Sequence, residues 1–126
     1  MAKFAPTVPR IDSGVFLVLA YDGPGSEAPR DSMLEGHLDY VERNVERYLV
    51  CGPLRKPGEE PLIGSFFLVR AGSADEAQAL VSGDPYVKSG MYADIQVHEA
   101  TAAGGSFMGG VIWESAEAIR AAQSAG

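Results

Sequence analysis

The period of the apolar positions changes several times along the chain, and each change marks an element. Val15-Phe16-Leu17-Val18-Leu19-Ala20-Tyr21 is a β-branched and aromatic run closed by Asp22-Gly23-Pro24-Gly25, which predicts a strand and a turn. Phe16, Val18 and Ala20 share one face of that strand and Val15, Leu17, Leu19 and Tyr21 the other, so both faces call for a cover. From about Asp31 to Arg47 the period is helical, with Leu34, Leu38, Val41, Val45 and Leu49 on one stripe. Glu35, Asp39, Glu42, Arg43 and Glu46 form the solvated side, and Asp31 or Ser32 is placed to cap the helix.

Tyr48 to Leu54 predicts a short strand ended by Gly52-Pro53, and residues 55–61 a charged loop. Leu62 to Ala71 predicts a third strand, with Phe66 and Leu68 on one parity and Ile63, Ser65, Phe67 and Val69 on the other. Ser73 and Glu76 have the spacing of a capping box, opening a short helix that Gly83 stops. Asp84-Pro85 suits the start of one further helical turn, and Tyr92 to Glu99 predicts a fourth strand with Ala93, Ile95 and Val97 on one face. The order is β-α-β-β-α-β, an α+β, ferredoxin-like arrangement with its helices on one face of an antiparallel sheet. The other face, given the two-sided first strand, is expected to meet a second copy of the chain. Three segments are expected: an irregular lead-in over 1–12, the domain over 13–100, and a Gly-rich linker with a short extension over 101–126. In that extension Thr101 to Gly110 reads as a flexible connector, and Ser115 caps a helix from Ala116 to Ala122.

Ten Lys and Arg against seventeen Asp and Glu give a net charge of −7, which repels phosphate backbones and anionic lipid. Neither nucleic acid nor membrane is therefore an expected partner. One cysteine and two histidines argue against an internal disulfide and against a structural zinc site. No apolar run reaches the ~18 residues of a membrane span and no secretory h-region opens the chain, so the expected location is cytoplasmic.

Few side chains carry candidate chemistry. His37 falls on the flank of the helical stripe, where it suits either a packed histidine or an acid/base group. Asp84 is equally well placed as a helix cap, and Arg30 as a solvated first-turn residue or a bidentate anchor for an anion. His98, on the polar parity with Asp94 and Gln96, and Cys51, with no histidine adjacent in sequence, read as ordinary structural residues. The paired glycines Gly104-Gly105 and Gly109-Gly110 lack the strand, helix and Lys-Ser/Thr of a phosphate loop.

Arg30 upstream of Gly36-His37-Leu38, then Cys51-Gly52-Pro53-Leu54, Ser65-Phe66-Phe67-Leu68, Ala74-Asp75-Glu76-Ala77, and Gly83-Asp84-Pro85-Tyr86-Val87 running into Gly90-Met91-Tyr92 form a combination. In order and spacing it resembles the YCII-related (YciI-like) family over roughly residues 14–99. The resemblance implies a dimeric α/β-barrel of two ferredoxin-like sheets. It also implies a His–Asp pair, carried here by His37 and Asp84, and cofactor-free elimination (lyase) chemistry on small oxidised ring compounds. In that setting Asp84 accepts the N–H of His37 and fixes its tautomer, while Arg30, Ser65 and Tyr86 are the expected substrate-binding side chains. No metal or organic cofactor is expected. The same residues also suit a non-catalytic, dimeric module that binds or senses a small anionic or aromatic molecule.

Overall fold

The structure, a computed structural model of the chain, describes residues 8–125. Residues 13–100 form one compact unit; residues 101–125, with 8–12, belong to a second. The first unit runs β1 (Val15–Asp22), α1 (Glu27–Ser32), α2 (Leu34–Arg43), β2 (Tyr48–Arg55), β3 (Leu62–Arg70), α3 (Ala74–Ser82), α4 (Pro85–Lys88) and β4 (Tyr92–Ala100). The sheet order is β2-β3-β1-β4 with every neighbouring pair antiparallel, which is the ferredoxin-like α+β topology.

Strand parity decides what is buried. Phe16, Val18 and Ala20 of β1 and Phe67 and Val69 of β3 pack against Ala77, Leu80 and Val81 of α3 and Tyr86 of α4 in one core. Burying side chains such as Phe67 and Val81 stabilises the fold by about 1.5–3 kcal/mol each. On the opposite face Leu17, Leu19, Phe66 and Leu68 remain half-buried, beside the polar row Asp94, Gln96 and His98 of β4. Ser73 caps α3 by accepting from Glu76 N at 3.1 Å, and Glu76 reaches back to Gly72 N at 2.7 Å. This closes the start of α3 much as a capping box does, with the return bond one residue earlier.

Three expectations need correction. The helix expected over Asp31 to Arg47 is two helices that meet at Met33, and α1 begins earlier, after Ser26, without a side-chain cap. Asn44 ends α2 by donating its Nδ2 to Tyr40 O at 2.9 Å, and Leu49 lies in β2. Within α2 and the turn after it the stripe is buried only at Val41: Leu34, Leu38 and Val45 are exposed, while Val41 packs on the core beside Tyr40, which lies off the stripe. The cause is local, because Tyr40 donates to Leu80 O at 2.6 Å and Gly36 lies over Pro85, turning that side of α2 inward.

The parity expected for the fourth strand also fails at its start. Tyr21 pairs with Asp94 but Asp22 with Tyr92, so Ala93 is an extra residue at a bulge. Ile95 and Val97 pack on the core as expected, but Ala93 is exposed and Tyr92 buried. Finally, the expected Gly-rich connector is structured. It forms β5 (Gly104–Gly105), a 3-10 turn at Ser106–Met108 and β6 (Gly110–Val111), and is followed by α5 (Ala116–Ala125). Gly109, at φ 83°, supplies the left-handed turn that lets this small hairpin close. Val8 N donates to Val111 O at 2.7 Å in the same unit, and Ser115 Oγ accepts from Ala118 N at 3.0 Å at the start of α5. Residues 8–12 are neither helix nor strand; the rest of the expected lead-in lies outside the described residues.

Candidate functional site

Asp84 is the centre of the arrangement. Its backbone is extended, it opens α4, and its side chain is 0% exposed. One carboxylate oxygen, Oδ1, accepts from Tyr86 N at 2.9 Å, which is the helix cap. The other, Oδ2, lies 2.7 Å from His37 Nδ1. The two readings open for Asp84 are therefore both satisfied by the same carboxylate. An ionised carboxylate only accepts, so in a pair with one the ring donates from Nδ1 and Nε2 is the nitrogen left outside the contact. The His37 side chain is 16% exposed, so the ring is not sealed in the core.

The approach of α2 to α4 that makes this contact rests on Gly36. A Cβ there would sit 3.1 Å from Pro85 Cγ, tighter than ordinary packing. Pro85, at the first helical position, also needs no N–H partner, so Asp84 is free to cap the next residue but one. Tyr86 then stacks on His37, ring centroids 4.0 Å apart and 9° from parallel, and donates its hydroxyl to Arg30 O at 3.0 Å. Burial pushes the Tyr86 phenol up, Arg30 opposing and Asp84 adding to the effect.

Arg30 is not a free anchor. Its Nε and Nη2 fork onto Asp22 at 2.8 Å each, and Nη2 also reaches Gly64 O at 3.0 Å and Ser65 Oγ at 3.4 Å. The guanidinium carbon lies 5.6 Å from the centre of the Tyr86 ring, a cation–π contact. The hydrogen bonds to Asp22 raise the Arg30 pKa further, against the effect of burial. Ser65 Oγ is 2.8 Å from Tyr92 OH, and burial pushes the Tyr92 phenol up to about 12 although the Ser65 hydrogen bond pulls the other way.

Thus His37, Asp84, Tyr86, Arg30 and Ser65, all singled out in the sequence, are joined in one connected set. Asp22 and Tyr92 were missed. Asp22 reads as a turn residue, and Tyr92 reaches the buried side only because of the bulge at Ala93, which no residue pattern announces. His98 is exposed on the opposite sheet face, 3.3 Å from Gln96 Oε1. Cys51 is a free, half-buried thiol whose pKa is raised by burial first and by Asp84 second. Among the described residues no group of His, Cys, Asp and Glu is placed to hold a metal ion, and no helix is long and apolar enough to cross a membrane.

Fold and site together define a small ferredoxin-like α+β protein with a histidine held by a buried carboxylate beside an Arg–Tyr stack. Residues 15–101 match the YCII-related domain, and the chain belongs to that family. It is similar to the solved 5-chloro-2-hydroxyhydroquinone dehydrochlorinase TftG from Burkholderia phenoliruptrix AC1100, in complex with 2,5-dihydroxybenzoquinone. The identity is 31%, the match covers 73% of this chain and 96% of TftG, and the TM-score is 0.63. A hypothetical Arabidopsis thaliana protein is similar at 13% identity, with 78% of this chain and 96% of that one covered and a TM-score of 0.44. No curated protein matches the sequence.

Proposed function

We propose that the protein is a cofactor-independent lyase that eliminates an anion from a small hydroxylated, oxidised ring compound. The observation that carries this reading is the 2.7 Å contact of His37 Nδ1 with a fully buried carboxylate, which leaves Nε2 for proton transfer. His37 is the general acid/base, Asp84 its positioning residue, and Arg30, Ser65 and Tyr86 line the substrate. The dehydrochlorinase activity of TftG, a relative at 31% identity, supports the class of reaction.

The chemistry balances without an added oxidant. Nε2 takes a proton from one ring hydroxyl and returns it to the carbon bearing the leaving group X, giving a keto tautomer. It then takes a proton from a second hydroxyl; the O–H electrons form C=O, the ring double bond shifts, and the C–X bond breaks. The net change is loss of H–X, and the ring is oxidised by the electron pair that leaves with X⁻. Such an internal redox step calls for neither metal nor organic cofactor.

The half-buried Leu17, Leu19, Phe66 and Leu68 on the open sheet face support a homodimer formed through that face. Sedimentation velocity at micromolar concentration should give twice the chain mass, and a persistent monomer would refute the dimer.

Function is tested with 5-chloro-2-hydroxyhydroquinone, following chloride release and quinone absorbance in wild type and His37→Gln. The expected loss in kcat is ~10²–10⁴-fold. Tight binding with no turnover in wild type would instead make the protein a small-molecule-binding module, with Asp84 serving as cap and ligand-site scaffold.

A further inference from the structure

Ser65 and Tyr92 lie in the core-facing part of the site, 5% and 8% exposed, with their hydroxyl oxygens 2.8 Å apart. The hydrogen-bond count of this pair does not close. Two hydroxyls bring two protons, and one proton makes the bond between them. The other has no acceptor among the described residues, whichever hydroxyl donates. Arg30 Nη2 approaches Ser65 Oγ from the charged side at 3.4 Å and takes up one of its two lone pairs, which favours Ser65 as the donor of the pair. The chain that polarises best runs from the guanidinium to Ser65 Oγ, from Ser65 O–H to Tyr92 oxygen, and ends on the Tyr92 O–H.

We infer that Tyr92 is a substrate-binding residue, whose hydroxyl donates to a carbonyl or developing enolate oxygen of the ring, with Ser65 as the relay that polarises it. This rests on the reading of the site as one for an oxygenated ring, and it assigns the group that holds the ring oxygen away from His37. The donor is well suited to the task. It lies where little water competes, and its phenol stays protonated far above neutral pH, so it donates without surrendering its proton. A donor fixed before the ligand arrives stabilises an oxygen whose charge grows during elimination more than it stabilises the ground state.

The test uses 2,5-dihydroxybenzoquinone as probe, with affinity from its visible absorbance and hydrogen bonding from the infrared carbonyl stretch of the bound ring. In wild type the stretch should fall below its value in water. Tyr92→Phe should weaken binding by ~10–100-fold and return the stretch toward the free value, while Ser65→Ala, which keeps the terminal donor, loses less. A Tyr92→Phe protein with wild-type affinity and wild-type carbonyl frequency overturns the inference, as does a larger loss in Ser65→Ala. If Tyr92→Phe fails to fold, the wild-type stretch decides by itself, an unshifted carbonyl refuting the donor. Loss of turnover in His37→Gln beside an unaffected Tyr92→Phe would sink this inference and leave the lyase reading standing. A Tyr92-dependent carbonyl shift in a protein without turnover does the reverse. Wild type that takes up no probe overturns both.

Discussion

Replacing Asp84 by Asn separates the two tasks of one carboxylate. Asn keeps an oxygen for Tyr86 N, now at 2.9 Å from Oδ1, but sets an NH₂ where Oδ2 lies 2.7 Å from His37 Nδ1. Two donors cannot face each other, so the ring must move its proton to Nε2 and offer Nδ1 as acceptor. The cap survives, and the loss is one charge-assisted hydrogen bond of ~1.5–3 kcal/mol. That loss is offset in part because a side chain 0% exposed no longer holds a charge away from water. The expected net destabilisation is below ~2 kcal/mol. Asp84→Ala removes the cap, ~1 kcal/mol, and strands the Tyr86 N–H and the His37 ring as well, so ~3–4 kcal/mol is expected there. Urea unfolding measures both values. Two-bond ¹H–¹⁵N correlation spectra of the neutral imidazole report the tautomer directly: Nδ1–H in wild type, Nε2–H in Asp84→Asn. With the free nitrogen now protonated, kcat should fall by ~10²–10⁴ although the protein stays folded. If His37 keeps the same tautomer in both proteins, the carboxylate does not orient the ring and the argument fails.

Three further perturbations test other parts of the site. Gly83→Ala places a methyl against the Tyr40 ring, its Cβ 2.7 Å from Cζ, where Tyr40 is pinned by Leu80 O; a loss of ~1–3 kcal/mol in urea unfolding is expected, and an unchanged midpoint would refute the packing. The Tyr48 hydroxyl is buried with no hydrogen-bond partner among the described residues, so Tyr48→Phe should raise stability by ~1 kcal/mol, and a loss instead would mean that the hydroxyl is satisfied. Because burial raises the Tyr92 phenol from 10.0 to about 12 in the folded chain, its contribution is complete below about pH 10 and is lost as pH rises toward about 12; unfolding curves at pH 8 and 11 should show this slope, flattened in Tyr92→Phe.

Much of this was legible because local rules and global packing agree along most of the first unit. β1 and β3 are apolar on the parity that the core needs, Ser73 caps α3, and Asp84-Pro85 opens a helical turn. The failures have a common cause, which is that contacts distant in sequence overrule local pattern. The stripe of Leu34, Leu38, Val41 and Val45 has the right period for a core, yet only Val41 packs there, because Tyr40 and Gly36 dock α2 by the adjoining side. Parity in β4 holds until one extra residue, Ala93, inverts it. The fork between Arg30 and Asp22 depends on where β1 ends relative to α1, and no spacing rule links residues 22 and 30.

The residues around Asp84 show why a short motif can still carry a site. Pro85 places the helix start where a preceding carboxylate must cap it, and the cap consumes only Oδ1. Oδ2 is then fixed by the backbone rather than by a mobile rotamer, so whatever meets it is held by the fold. Gly36 lets α2 come close enough for the next residue, His37, to be what meets it. Two residues after Asp84, on the same turn, Tyr86 covers the imidazole face and ties its own hydroxyl to Arg30 O. One helical turn and one glycine thus set the ring's hydrogen-bond partner, its tilt and its stacking neighbour. For that reason even a conservative change at Pro85 or Gly36, neither of which bears chemistry, should disturb His37 before it disturbs the sheet.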